Sequence, residues 1–234
     1  MNTDDIDRGA LPPDRLEPPP PARALMDAVQ TMKPVRTRTR FGAFAAVALG
    51  GLVAPAAVLT HHAMRRDLGA LPLGWVITAA ALWGLAFASS LAAALIPARG
   101  DVLVPPARAS SVGGLALAAL LTFSLLASVQ APGASLRPQD AQLTLLGSCL
   151  HCGTFVLEMA APFLLLGFIA LRRLTPGGGA RVGLALGAAG GAMGGLVLHF
   201  ICPFAGAAHV TGGHVGGALV AAGLGAALLA IFRR

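Results

Sequence analysis

Val182-Gly-Leu-Ala-Leu-Gly-Ala-Ala-Gly-Gly-Ala-Met-Gly-Gly-Leu-Val-Leu-His-Phe-Ile201 runs for twenty residues without a charge. At 1.5 Å of rise per residue, a helix of that length crosses the roughly 30 Å of hydrocarbon in a bilayer. Gly183, Gly187, Gly191 and Gly195 recur at every fourth position, leaving one edge of that helix without side chains. Lipid tails supply no hydrophobic drive between helices, so such a ladder is where a second backbone can approach. The pairs Gly212/Gly216 and Gly213/Gly217 repeat the device and predict that the last two spans pack closely. Working outward, similar apolar stretches occupy 41–60, 73–96, 110–129, 143–171 (at lipid depth from Thr154) and 212–232. A mean hydropathy of +0.74, with 12% charged residues, fits a bilayer rather than a soluble domain. The expected fold is all-α: a polytopic membrane protein with six transmembrane helices in three hairpins, behind a short cytoplasmic N-terminal tail.

Lysine and arginine counts orient the spans. Lys33, Arg36, Arg38, Arg40, Arg99, Arg108, Arg172, Arg173, Arg181, Arg233 and Arg234 flank the spans on one side, eleven residues. Only Arg65, Arg66 and Arg137 fall on the other. The positive-inside rule then predicts cytoplasmic termini in a bacterial inner membrane. The net charge of +7 thus reflects topology, and with no Tyr and no aromatic interleaving there is no footprint for direct nucleic-acid binding. The 41–60 stretch reads as a retained anchor, since forty residues precede it and further spans follow.

All six histidines and all three cysteines cluster in or beside the odd connectors, on the side predicted to be exterior. Cys149-Leu150-His151-Cys152 opens the fourth span. His199 and Cys202 close the fifth, and His209 and His214 follow at the start of the sixth. Gly153 after the second Cys excludes the haem c attachment pattern. Two or three thiolates with imidazoles suit tetrahedral Zn²⁺ or thiolate-preferring Cu⁺. Cys149, Cys152, His199, Cys202, His209 and His214 are therefore candidate metal ligands, and a Cys149–Cys152 disulfide is the alternative. Glu158 is the one carboxylate within a span, and a charge in lipid costs at least about 2–3 kcal/mol. It is expected to face the bundle and, with His151, to back the cluster. His61 and His62 read as an interfacial cap.

Ahead of the spans, residues 1–22 are acidic and then Pro-rich, and read as a disordered leader. Residues 22–33 form an amphipathic helix candidate, with Leu25, Met26, Val29 and Met32 on one stripe before Pro34 ends it. That stripe suits either membrane lipid or a groove on a protein partner. The chain therefore divides into a tail, 1–40, and a transmembrane sensor domain, 41–234.

The segment from Leu25-Met26 to Lys33-Pro34-Val35-Arg36, the six spans, and Cys202-Pro203 followed by His209 and His214 together resemble the NrsF-like family of membrane anti-sigma factors. The resemblance covers about residues 22–232. It implies that Leu25, Met26, Val29, Met32, Pro34, Val35 and Arg36 contact an extracytoplasmic-function sigma factor. It also implies that Cys149, Cys152 and Cys202 belong to a signal-perceiving end, for a metal, an oxidant or a light-derived species. Gly213 stands before His214 where the family would have an aromatic residue. The expected function is regulatory and not enzymatic: no nucleotide loop, hydrolase triad or metalloprotease motif occurs. A membrane redox or haem protein and a metal-ion transporter are the alternatives that the same cluster would serve.

Overall fold

A computed structural model of the chain describes residues 27, 40–95, 122, 144–171, 179–204 and 206–231. The expected span at 110–129, Thr122 apart, lies outside them, as do Leu25, Met26, Val29, Met32, Pro34, Val35 and Arg36. Asp27 apart, the residues below belong to the second of two units into which the chain divides, Arg38–Arg234.

Every regular element among the described residues is helical: α1 (Arg40–His61), α2 (Leu73–Leu95), α3 (Leu145–Leu171), α4 (Gly179–Ile201) and α5 (Ala207–Ile231), with a short 3-10 turn at Leu68–Ala70. Four of these are long and apolar enough to cross a membrane, over Leu73–Ala94, Leu145–Ala170, Gly179–Ile201 and Ala207–Ile231. In α1 the apolar stretch Ala45–His61 is shorter than these. Six spans were expected, and four stand among the described residues.

Helix α4 is the hub. Its most extensive packing is with α5, then with α2 and α3, whereas α1 lies mainly on α3. Consecutive helices α1 and α2 are therefore not principal partners: α1 packs chiefly on α3 and α2 on α4. Composition explains why α4 can be buried nearly all round. Gly183 faces Gly225 and Leu229, Gly187 faces Ala221 and Ala222, and Gly191 faces Ala218, so the ladder seats α5 backbone to backbone. On the next face, Gly190 meets Ala160 and Gly194 meets Val156 and Met159 of α3. Gly195, the last rung, instead receives the ring of Trp83 from α2. The second glycine set departs from expectation as well: Gly213 and Gly217 face Cys149, Cys152, Gly153 and Val156 of α3 rather than α4.

Two groups of buried side chains fill the bundle. One includes Val47, Leu91, Phe163, Leu186, Met193 and Leu229. The other gathers Trp83, Val156, Ala192, Leu198, Val215 and Ala218 around Cys152 and Cys202. Large apolar side chains on the outside, among them Leu73, Ile77, Leu150, Leu165 and Leu219, suit a lipid surround.

Candidate metal centre

Three pieces of backbone meet at the end of the bundle where α4 stops. The amide of Cys202 still donates to Leu198 O at 2.8 Å, so Cys202 sits on the last turn of α4. Pro203 then ends the helix because it has no N–H to continue it. After a short link, Val210 N–H donates to Gly206 O at 3.0 Å and α5 begins. The third piece is the first turn of α3, where Thr144 Oγ1 accepts from Gly147 N–H at 3.0 Å as an N-cap.

The start of α5 is not a regular α-helix. Val210–Val215 forms a π turn, and the Gly216 N–H reaches back to Thr211 O. In an α-helix, residues five apart such as His209 and His214 would diverge by about 140°. A ladder of five-residue bonds makes a wider turn and narrows that divergence. The rings of His209 and His214 accordingly lie 5.2 Å apart at 80°. Glycines at 212 and 213 let this wider turn press against Cys149 and Cys152 of α3.

Four ligand atoms converge there: those of Cys152, Cys202, His209 and His214 all lie within 4.8 Å of one another, and all four residues are buried. Cys152 Sγ is 3.7 Å from Cys202 Sγ, and Cys202 Sγ is 3.5 Å from His209 Nε2. The Cys202 thiol also donates toward Phe204 O at 3.7 Å. Phe204 lies edge-on to His209, with ring centroids 5.3 Å apart. His214 Nε2 is buried without a hydrogen-bond partner among the described residues.

The remaining candidates fall elsewhere. Cys149 is half-buried at the rim, its Sγ 4.0 Å from His209 Nδ1, and does not enter the four-residue group. His199 turns away from it: Nε2 lies 3.1 Å from Val76 O, and the ring packs 5.1 Å from Trp75. His199 was expected beside Cys202, but α2 draws its ring aside. Glu158 and His151 were expected behind the cluster and instead lie on the exposed side of α3. At about 100° per residue, each is turned by roughly 100–120° from Cys152, too far to support it. All three cysteines are free, and the thiol of Cys152 lies against that of Cys202. His61 and His62 are exposed.

Two residues that sequence reasoning passed over complete the surroundings. Ser148, one turn before Cys152, is buried with Oγ 3.0 Å from His209 Nδ1; its i, i+4 spacing from Cys152 was the legible signal. Arg65, from the connector between α1 and α2, is buried against the turn that carries Cys202. Its backbone N–H donates to Phe200 O at 2.9 Å, and its guanidinium reaches Pro203 O at 3.3 Å. The same guanidinium forks onto both carboxylate oxygens of Asp67 at 2.6 Å. Hydrogen bonding from Arg65 and its positive charge hold the Asp67 carboxyl below the usual carboxylate range.

A family model described as "Negative regulator of sigma F" matches residues 28–234. No curated protein and no solved structure matches the chain.

Proposed function

The chain belongs to the negative regulator of sigma F family, and on that premise we propose that it is a membrane-anchored anti-sigma factor. Its cytoplasmic N-terminal segment holds an extracytoplasmic-function sigma factor out of transcription and releases it when an exterior stress alters the Cys/His cluster. The observation that carries this reading is the extent of the match, which begins at residue 28, inside the tail, and runs through the whole bundle. A regulator of this family acts by binding a sigma factor, and the apolar stripe of Leu25, Met26, Val29 and Met32 is suited to a groove on such a partner. The family is regulatory, so no chemical step is asked of the cluster. The eleven-to-three Lys/Arg bias supports an inner-membrane orientation with both termini in the cytoplasm.

Arg65 offers the physical link between signal and tail. It ties the turn of Cys202 to the connector that follows α1, and α1 follows the tail in sequence. A change in the bonding of Cys202 displaces that turn and biases the set of bundle arrangements, which is how a local event shifts a distant equilibrium.

The test is genetic. Leu25→Asp with Met26→Asp, and separately Val29→Asp with Met32→Asp, place charge in an apolar contact. Each is expected to switch on the sigma-dependent promoter without any signal, while the protein stays in the membrane. A promoter that remains off in both double variants would mean that the stripe merely lies on lipid.

A further inference from the structure

We infer that Cys152, Cys202, His209 and His214 form a preorganised tetrahedral site for one Zn²⁺-like cation, and that Ser148 is the positioning residue that aims His209 into it. This deepens the proposed function, resting on its reading of the cluster as the signal-receiving end, by naming what the cluster holds.

The edge lengths carry the argument. Zinc binds thiolate at about 2.3 Å and imidazole at about 2.0–2.1 Å, so a tetrahedron has S–S edges of about 3.8 Å and S–N edges of about 3.6 Å. The corresponding separations here are 3.7 Å for Cys152 Sγ to Cys202 Sγ and 3.5 Å for Cys202 Sγ to His209 Nε2. Two sulfurs and two imidazole nitrogens, with no carboxylate among them, favour a borderline-soft cation over Mg²⁺ or Ca²⁺.

Hydrogen-bond direction selects the ligand atom of His209. Ser148 has one hydroxyl proton, and Oγ donates it to Leu145 O at 2.9 Å. In the proposed site Ser148 Oγ then accepts from the Nδ1–H of His209, 3.0 Å away. The lone pair is left on Nε2, the atom that faces Cys202. Ser148 is 1% exposed, so water does not compete for that bond. An outer partner on the far ring nitrogen is how metal-binding histidines are ordinarily oriented.

His214 supplies the second observation. At 3% exposure its Nε2 has no hydrogen-bond partner among the described residues, although an unmet buried polar group costs about 1–3 kcal/mol. Coordination would satisfy it. The π turn that aligns His214 with His209 is then what completes the ligand set.

The test uses the full-length protein in detergent, reduced and stripped with chelator, then titrated with Co²⁺ and afterwards with Zn²⁺. One Co²⁺ per chain is expected, with the intense visible bands of tetrahedral cobalt and a thiolate charge-transfer band sized for two sulfurs, both removed by Zn²⁺. Cys152→Ser and Cys202→Ser should each abolish the spectrum, whereas Cys149→Ser and His199→Gln should leave it unchanged. Ser148→Ala should weaken affinity by about 10–100-fold without altering the spectrum, and Ser148→Thr should restore it. Circular dichroism on the same samples confirms that each variant is folded. Absence of the tetrahedral spectrum in the parent protein overturns the site, and so does a three-thiolate spectrum. A folded Ser148→Ala that binds as tightly as the parent overturns the role of Ser148. Sigma-factor capture is read separately: Co²⁺ binding by the four residues with no effect on capture would sink the signalling role of the cluster and uphold the metal site.

Discussion

Arg65 shows what a single residue does that composition hides. In the sequence it is one of three positive charges on the sparsely charged side, a datum about orientation. In the fold its side chain is 2% exposed and its guanidinium is shared between Asp67 and the Pro203 carbonyl. A buried guanidinium is stable only while its fork is occupied, so Asp67→Asn removes the charge-assisted half of that arrangement. We expect this variant to lose about 1.5–3 kcal/mol of stability near neutral pH, read from thermal unfolding in detergent. The dependence on pH has a definite sign. The folded-state Asp67 carboxyl titrates below its ordinary value because Arg65 bonds to it. Its stabilisation is therefore complete above the unfolded value of about 3.9 and is lost as pH falls through the lower folded one. The gap between parent and Asp67→Asn should close on acidification below about pH 4. A gap unchanged at low pH would place the effect of the mutation elsewhere.

At the scale of the element, α4 is a helix whose glycines are distributed among three neighbours. The fourfold spacing of Gly183, Gly187 and Gly191 was legible, because periodicity alone puts them on one edge. Their partners could not be read, since Ala218, Ala221 and Gly225 are unremarkable small residues until α5 is set against them. A Cβ added at Gly187 would collide with the backbone of Ala221, which has no rotamer by which to yield. Gly187→Ala should therefore cost about 1–3 kcal/mol through overpacking. At Gly223, exposed on the same partner helix, nothing lies within 4 Å of the added atom. Gly223→Ala should gain up to about 1 kcal/mol from helix propensity alone. Melting the two variants side by side separates packing from propensity. Equal shifts in both would refute the ladder as the α4–α5 contact.

For the whole molecule, orientation is the property that charge decides. Eleven span-flanking Lys and Arg against three predict cytoplasmic termini, and that orientation would set the cluster toward the exterior. A reporter active only in the cytoplasm should score when fused after Arg234, and one active only outside should score when inserted at Ala134. Reversed activities would put the cluster on the inner face and remove the case for an exterior signal. Among the described helices α4 is the hub, packed directly by α2, α3 and α5, while α1 lies mainly on α3.

Hydropathy and spacing by themselves determined the class, the approximate ends of α2 to α5, the glycine ladder and the confinement of His and Cys to one set of connectors. These depend on local composition and on helical period, which any stretch of chain carries within itself. The ligand set was decided only by tertiary structure. From sequence, His199 and Cys202 share a helix face, as Cys149 and Cys152 do, and nothing local prefers one over its neighbour. The fold breaks both ties, turning His199 onto Val76 O of α2 and leaving Cys149 at the rim. It also unites His209 with His214, which α-helical spacing keeps apart, through a π turn that the glycines of α5 permit and the surface of α3 receives. Such choices depend on which helix lies alongside, and that is set by packing among segments far apart in the chain.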